Sequence, residues 1–312
     1  MISLPQPAKT PTMYFVGVTT QQSSIMQIFP KWAAVLGIQA VLKGIDIPIH
    51  APAEDYRAVV NFIKQDPLSL GALVTTHKID MYQAAKDIFD ECDPLALSFG
   101  ELSSISKMDG KLWAKAKDPI SSGSALSEFI PEGYWEKTGA AACVLGSGGS
   151  ALSIAWNLAK DTHGNDVPQR IFLTNRSSPR LEKAVRILTD VKVPVHYCLC
   201  PDPKLNDAIV ESLPEGSVIV NATGLGKDRP GSPLTDHCQF PRSSRIWEIN
   251  YRGSLEFLHQ AELQKAEKAL FIEDGWPYFI YGWTQVVGDV FHMDITGDLF
   301  KACDKIARDM RK

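Results

Sequence analysis

A short stretch in the middle of the chain restricts the fold most strongly. Residues 141–145 form an apolar run of the kind found in buried parallel strands, and the turn Gly146-Ser147-Gly148-Gly149-Ser150 follows it directly. After this turn, apolar residues recur at i, i+3, i+4, i+7 and i+8, which is the spacing of a helix with one apolar face. A second apolar run at 170–174 completes a β-α-β unit. The sequence therefore predicts a parallel sheet in which a glycine turn leads into a helix.

The glycine turn predicts a nucleotide site. Glycines let the backbone bend sharply and approach a pyrophosphate, while the unpaired N–H groups and the positive end of the helix attract it. A tight strand-to-helix turn that binds nothing is the alternative, and the turn alone leaves it open.

The residues after the second strand indicate which nucleotide binds. A site for NAD usually has an acidic residue there, which holds the ribose 2′-hydroxyl. This chain instead has Asn175-Arg176-Ser177-Ser178-Pro179-Arg180. Two guanidinium groups suit a 2′-phosphate, because each meets phosphate oxygens with a permanently charged fork. We therefore predict NADP as the cofactor, with a solvated basic turn as the alternative and NAD as the less expected cofactor.

Length and composition exclude several classes of protein. The 312 residues are enough for two domains, and 45% hydrophobic with 22% charged residues is typical of a globular protein. A net charge of -4 and the lack of a basic run argue against a nucleic-acid partner. No apolar run approaches the roughly 18 residues of a membrane span, and residues 1–13 have no signal-peptide core. We expect a cytoplasmic protein without a membrane partner.

The cysteines and histidines give no metal motif. Six cysteines are scattered along the chain, and the only close pair is Cys198 and Cys200. Alternate positions on a strand point the same way, so a metal role for this pair stays an alternative, whereas buried inert thiols are the preferred interpretation. The seven histidines lack metal spacing as well. We predict no metal site.

Apolar runs and helical patterns alternate along the chain, which favours parallel sheets with helices on their faces. Strands are expected at 14–18, 41–47 and 71–75, and helices at 29–36, 54–64 and 79–89, before a hairpin that turns at Asp109-Gly110. The polar segment 119–124 is predicted to be an irregular domain boundary. The predicted fold class is α/β, with an N-terminal α/β substrate domain (1–120) and a C-terminal Rossmann-type NADP-binding domain (121–285). The C-terminal helix, 286–312, is expected to pack back on the first domain.

Five segments, in order and over nearly the whole chain, resemble the shikimate/quinate dehydrogenase family. The glycine turn resembles its Gly-Ala-Gly-Gly-Ala loop, and 175–180 its Asn-Arg-Thr-x-x-Arg clamp. Residues 221–226 are similar to its Asn-Ala-Thr-x-x-Gly loop beside the nicotinamide. Residues 74–78 resemble Val-Thr-x-Pro-His-Lys shortened by one residue, and 111–118 resemble the segment that delivers a catalytic aspartate. The resemblance implies these cofactor-binding residues: Gly146, Ser147, Gly148, Gly149, Ser150, Asn175, Arg176, Ser177, Arg180, Ala222, Thr223, Gly224 and Leu225.

The resemblance also implies a reversible hydride transfer between the nicotinamide and a ring carbon that bears an alcohol or ketone. A hydride that leaves carbon must be matched by a proton that leaves oxygen, so a general acid/base is required within hydrogen-bond reach. The resemblance assigns this role to Lys78, with Asp118 as its partner. The alternatives are a solvated lysine at a helix start, where its charge opposes the helix dipole, and a turn residue before Pro119. His77 is interpreted as a structural neighbour.

The substrate positions depart from the family's pattern. The resemblance implies that substrate contacts lie at Ser23, Ile25, Thr75, Ser103, Tyr251 and Gly282. Ser23 and Tyr251 match the family, but Ile25 stands at the position of a carboxylate-binding serine. Ser103 stands at the position of an asparagine, and Gly282 at that of a glutamine. A substrate carboxylate at the position of Ile25 would find no donor there, and an unpaired buried polar group costs about 1–3 kcal/mol. Our hypothesis is therefore a substrate other than shikimate.

That substrate would be another cyclic polyol or ketone, either bulkier or without the carboxylate at this place. One alternative is a genuine shikimate or quinate dehydrogenase in which Ser24, Gln22 or Gln285 restores the contacts. Another is a non-catalytic NADP or metabolite sensor. The site is expected in the cleft between the domains of a monomer or homodimer. An aromatic cluster at 276–283 is interpreted as core packing, with ligand stacking as the alternative.

Overall fold

A computed structural model of the chain describes residues 2–160, 164–189, 191–227 and 229–311. The chain divides into two compact units. The first unit contains Met1–Asp118 and Ile280–Lys312, and the second contains Pro119–Phe279. The sequence predicts the two boundaries between the domains at 120/121 and 285/286.

The first unit contains a six-stranded sheet in the order β2-β1-β3-β5-β6-β4. β1, β2 and β3 run parallel, while β5 is antiparallel to β3 and β6. Its strands are β1 Thr12–Gly17, β2 Val41–Asp46, β3 Ser69–Val74, β4 Glu91–Cys92, β5 Ser104–Met108 and β6 Lys111–Lys115. Its helices are α1 Ile25–Leu36, α2 Ala53–Gln65, α3 Lys78–Ala85, α4 Pro94–Phe99, α11 Trp276–Phe291 from its second turn onward, and α12 Gly297–Asp309.

Apolar side chains cover this sheet because alternate residues of its strands point to opposite faces. Val16 and Val74 are fully buried in one core cluster, together with Val60 of α2 and Met81 of α3. Each such side chain contributes about 1.5–3 kcal/mol by leaving water. The C-terminal helix belongs to this unit as well, since the Trp32 indole N–H on α1 donates to the backbone carbonyl of Cys303, at 2.8 Å.

The second unit contains a fully parallel sheet in the order β12-β11-β10-β7-β8-β9. The strand order reverses between β7 and β10, which is the position where Rossmann-type folds bind dinucleotides. Its strands are β7 Ala142–Leu145, β8 Ile171–Asn175, β9 Val195–Leu199, β10 Val218–Asn221, β11 Arg245–Glu248 and β12 Phe271–Glu273. Its helices are α5 Asp118–Phe129 after its first residue, α6 Tyr134–Thr138, α7 Gly149–Ala159, α8 Ser178–Ile187, α9 Pro203–Glu211 and α10 Glu256–Lys268.

The segment 119–124 corrects the prediction of an irregular boundary, because it lies within the helix α5. The buried Asn157 side chain on α7 donates to the carbonyl of Pro119 and, at 2.9 Å, to Ser122 Oγ. The Ser127 hydroxyl donates a hydrogen bond to the carbonyl of Gly123, four residues earlier in the same helix. Proline is tolerated in a first helical turn, where its missing N–H costs nothing. Tertiary hydrogen bonds thus outweigh the weak helical preference of this serine-rich segment.

Two features are absent from the described residues. No helix there is long and apolar enough to cross a membrane. In the same residues, no group of three or more His, Cys, Asp or Glu side chains is arranged to hold a metal ion.

Candidate functional site

The glycine turn after β7 has a shape that depends on its glycines. Gly146 has φ +111°, and a Cβ there would lie 2.7 Å from the carbonyl oxygen of Ala222. Gly148 is the N-cap of α7 and provides no side-chain cap. A Cβ on Gly148 would meet no atom within 4 Å. The first N–H groups of a helix have no partner within it, and at α7 the glycine N-cap places no side chain over them, so they could hold a pyrophosphate.

The segment after β8 is tied to the glycine turn by Asn175. Its Nδ2 donates to Ser147 Oγ at 2.8 Å, and its Oδ1 accepts from the Ser177 backbone N–H at 2.9 Å. Arg176 and Arg180 are exposed, and within the described chain neither forms an ion pair. Two unpaired guanidinium groups thus lie on a segment that a buried serine fixes against the glycine turn.

A third loop, 222–225, follows β10. The Ala222 backbone N–H donates to the carbonyl of Leu145 at 2.8 Å, so this loop begins beside the glycine turn. Thr223 donates from both its backbone N–H and its hydroxyl to Asn221 Oδ1, at 3.1 and 2.7 Å. The Leu225 N–H in turn donates to Thr223 Oγ1 at 3.1 Å. The carboxyl ends of β7, β8 and β10 therefore present three loops at one edge of the sheet.

The donor set of this edge fits a phosphorylated dinucleotide. Free backbone N–H groups at a helix start suit a pyrophosphate, and two arginines with neighbouring hydroxyls suit a further phosphate. Gly148 leaves the space that a close approach of the backbone requires.

In the first unit, Lys78 and Asp118 form an ion pair, in which the lysine Nζ donates to Asp118 Oδ2. Their side chains are 22% and 7% exposed. Lys78 begins α3 directly after β3, and Asp118 follows β6. Leu102 and Ser103 connect the segments that carry the pair, because the Leu102 N–H donates to the Lys78 carbonyl at 3.2 Å and the Ser103 N–H to the Lys115 carbonyl, near Asp118, at 3.0 Å. The fold thus brings together two side chains that are 40 residues apart in the sequence.

Thr75 and Ser103 form hydrogen bonds within the segments that lead to Lys78 and Asp118. The Thr75 N–H and hydroxyl both donate to the Val16 carbonyl, at 3.0 and 3.2 Å. Ser103 Oγ accepts from the Lys117 N–H at 2.7 Å, and the residue is 3% exposed. Ser103 therefore fixes the turn that precedes Asp118, and a contact between it and a substrate stays a prediction.

The other predicted substrate positions lie in different surroundings. Ile25, the first residue of α1, is fully buried, whereas Ser23 and Ser24 are partly exposed, and among the described residues their hydroxyls have no hydrogen-bond partner. Gly282 is partly exposed on α11, and a Cβ there would meet no atom within 4 Å. This glycine leaves room where a longer side chain would fit.

Aromatic residues of the second unit surround Tyr251. Its ring centroid lies 4.5 Å from that of Phe279 and 5.5 Å from that of Trp276, both of which are buried. Tyr278 packs edge-on against Trp247. These contacts are core packing, and they hold the partly exposed Tyr251 in place.

His77, which precedes Lys78, is 1% exposed. Its Nδ1 lies 3.3 Å from the Tyr56 hydroxyl. Burial lowers the pKa of this imidazole, so it stays neutral near pH 7. The contact with Tyr56 fits the predicted structural role.

Sequence reasoning missed Glu248 at the end of β11. It is fully buried, accepts from Asn221 Nδ2 at 2.6 Å, and accepts from the backbone and side-chain N–H groups of Asn250 at 2.9 and 2.6 Å. A glutamate at the end of an apolar run was the available signal. Its relation to Asn221 depends on the register of β10 and β11, in which these two residues are paired.

Comparisons with known proteins show which chains and folds this protein is similar to. No family profile matches the chain. The curated shikimate dehydrogenase (NADP(+)) of Methylobacterium radiotolerans is 25% identical over 246 residues, which cover 78% of each chain. A solved shikimate dehydrogenase in complex with NADP+ gives a TM-score of 0.73 at 20% identity, covering 100% of this chain and 98% of that one. The chain is therefore similar in sequence to a curated shikimate dehydrogenase and shares the fold of solved ones.

Further solved structures share the fold. Shikimate 5-dehydrogenase of Thermus thermophilus, in complex with NADP(H) and shikimate, gives a TM-score of 0.69 at 18% identity over 96% of this chain and 99% of that one. The ligand-free 5-ketofructose reductase of a Gluconobacter species gives 0.66 at 14% identity, over 96% and 99%. The predicted α/β fold with a Rossmann-type second unit is thereby confirmed.

Proposed function

We propose that this chain is a member of the shikimate/quinate dehydrogenase family, an NADP-dependent oxidoreductase that acts on a ring alcohol or ketone of a shikimate-like or other polyhydroxylated cyclic compound. The observation that carries the proposal is the Lys78–Asp118 pair in the first unit of a chain whose second unit has the donor set for a phosphorylated dinucleotide. The relatives named for shikimate and NADP+ support both the cofactor and the substrate class.

The second unit binds the cofactor through three groups of residues. The N–H groups of the glycine turn 146–150 would hold the pyrophosphate, Arg176 and Arg180 would hold the 2′-phosphate, and the loop 222–225 would serve the nicotinamide end. When bound, the nicotinamide supplies or accepts the hydride.

Lys78 moves the proton that accompanies the hydride. In the direction of reduction, its ammonium donates a proton to the carbonyl oxygen while the carbon takes the hydride, so a ketone becomes an alcohol with charge balanced. Asp118 orients the ammonium and takes part in holding a neighbouring hydroxyl. In the direction of oxidation, the neutral amine accepts the hydroxyl proton.

For the substrate, we propose a compound larger than shikimate or without a carboxylate at the position of Ile25. The open space at Gly282 and the complete burial of Ile25 support this. Shikimate itself is the second candidate, because the unpartnered hydroxyls of Ser23 and Ser24 at the start of α1 suit a carboxylate. An assay of NADP reduction with shikimate, quinate and carboxylate-free cyclic polyols separates the two.

The role of Lys78 is tested with Lys78→Ala. We expect turnover of the best substrate to fall by about 10²-fold or more, since general acid–base catalysis contributes that much, while fluorescence titration shows unchanged NADPH binding. Lys86→Ala, which removes an exposed lysine at the end of the same helix, should behave as the wild type. NADPH binding without turnover of any ring compound by the wild type would favour a sensor, and equal turnover by Lys78→Ala would contradict the assigned role.

A further inference from the structure

The loop 222–225 depends on a chain of hydrogen bonds that ends at a buried carboxylate. Glu248 Oε2 accepts from Asn221 Nδ2, and this leaves Asn221 Oδ1 facing the backbone N–H and hydroxyl of Thr223. Thr223 Oγ1 then accepts from the N–H of Leu225. Asn250 Nδ2 donates both to Glu248 Oε1 and, at 3.3 Å, to the Leu225 carbonyl. The loop is therefore held at both ends from one side chain that is fully buried.

This network favours the ionised form of Glu248. Oε1 already accepts two N–H groups, so a proton there would point at a donor, whereas a proton on Oε2 would weaken that oxygen as the acceptor for Asn221 and would meet no acceptor among the described residues. If the Asn221 amide turned over to accept that proton, its NH2 group would face the Thr223 N–H, and a donor would again meet a donor. Protonation of Glu248 therefore breaks or weakens at least one hydrogen bond of the network that holds the loop.

We propose that Glu248 is a positioning residue that, when ionised, holds the loop 222–225 in the conformation that binds the cofactor. The inference rests on the proposed function, because the loop serves the nicotinamide end of NADP there. It adds a residue that contacts neither cofactor nor substrate and acts through Asn221 and Asn250.

The surroundings of Glu248 shift the pKa of its carboxyl group toward neutral pH. Burial raises the pKa of Glu248 to about 7, although the amide donors of Asn250 and Asn221 lower it in part. On the β12 side the charge of Asp274 raises it further. On the β10 side it faces the neutral Asn221, and on α10 the acidic Glu256 bonds instead to the Gly231 N–H. Ionisation, and with it the order of the loop, is lost as the pH falls below neutrality.

The test compares the wild type with Glu248→Gln, which keeps the shape and removes the charge, and with Glu211→Gln as control. Glu211 also accepts from a backbone N–H, that of Gln239, but it is exposed on α9. NADPH affinity is measured by fluorescence from about pH 5.5 to about pH 8.5. The 2′-phosphate of NADPH itself titrates near pH 6, so the ratio between wild type and variant is the readout.

We expect Glu248→Gln to bind NADPH about tenfold more weakly than the wild type at the alkaline end, the loss of about one hydrogen bond, and nearly equally at the acid end. The control should follow the wild type throughout. A ratio that is independent of pH would overturn the inference, because a merely structural role predicts that result.

Amide hydrogen exchange of the free protein separates this inference from the proposed function. At the alkaline end, the N–H groups of Thr223 and Leu225 should exchange at least several-fold faster in Glu248→Gln than in the wild type. Equal exchange would overturn the positioning role. If exchange differs as expected but no form binds NADPH, the proposed function fails while the role of Glu248 in ordering the loop stands.

Discussion

At the scale of single residues, two glycines of the same turn should respond differently to alanine. Gly146→Ala forces a side chain into φ +111° and against the Ala222 carbonyl, so we expect a loss of at least about 1–2 kcal/mol of stability. Gly148→Ala keeps φ −78°, and its Cβ meets no protein atom within 4 Å, so it should cost less than about 1 kcal/mol, the penalty of alanine at an N-cap. Chemical denaturation measures both.

The same pair distinguishes a bound dinucleotide from a bare turn. With the proposed cofactor, the methyl group of Gly148→Ala fills the space of the pyrophosphate, and NADPH affinity should fall by about tenfold or more. Unchanged affinity in this well-folded variant would show that the pyrophosphate does not approach the turn there.

Residue patterns predicted some of the site and missed the rest for a physical reason. Positions such as Gly146 and Arg176 were found because a turn between an apolar strand and a helix is a local signal. Glu248 and Asn157 were missed because each acts through a contact with a distant segment. Only the strand register brings Glu248 to Asn221, 27 residues away. The roles of the predicted site residues toward ligands stay predictions.

At the scale of elements, the helix α5 shows where local preference and tertiary structure disagree. The strands β1, β3 and β7 were expected from their apolar runs, and the structure has them within a few residues of those positions. The helix α1 begins at Ile25, four residues before the predicted start. The segment 119–124 has weak local preference, so its helix depends on the contact with α7.

This dependence predicts the effect of Asn157→Ala. The substitution removes the amide that donates to the Pro119 carbonyl and to Ser122 Oγ, and such a loss costs about 1–3 kcal/mol. We expect the denaturant midpoint to fall accordingly. Ser127→Ala, on an exposed position of the same helix, should change stability by less than about 0.5 kcal/mol. Similar losses in the two variants would mean that the contact with α7 does not stabilise the helix.

At the scale of the whole molecule, Glu248 should make stability and NADPH binding depend on pH in opposite directions. The pKa of Glu248 is raised from 4.5 to about 7, so the folded protein binds this proton more tightly than the unfolded chain. The stability that it contributes is present below the unfolded pKa and is lost as the pH rises through about 7. The ionised carboxylate that orders the loop therefore costs on the order of 3 kcal/mol.

Glu248→Gln removes this cost because its amide carries no charge at any pH. We expect its melting temperature to exceed that of the wild type by roughly 5 °C at about pH 8.5 and to equal it at about pH 5. NADPH affinity at the alkaline end should move the other way, so the variant gains stability where it loses binding. If the variant melts lower than the wild type at alkaline pH, the carboxylate stabilises the fold there, and burial does not set its pKa.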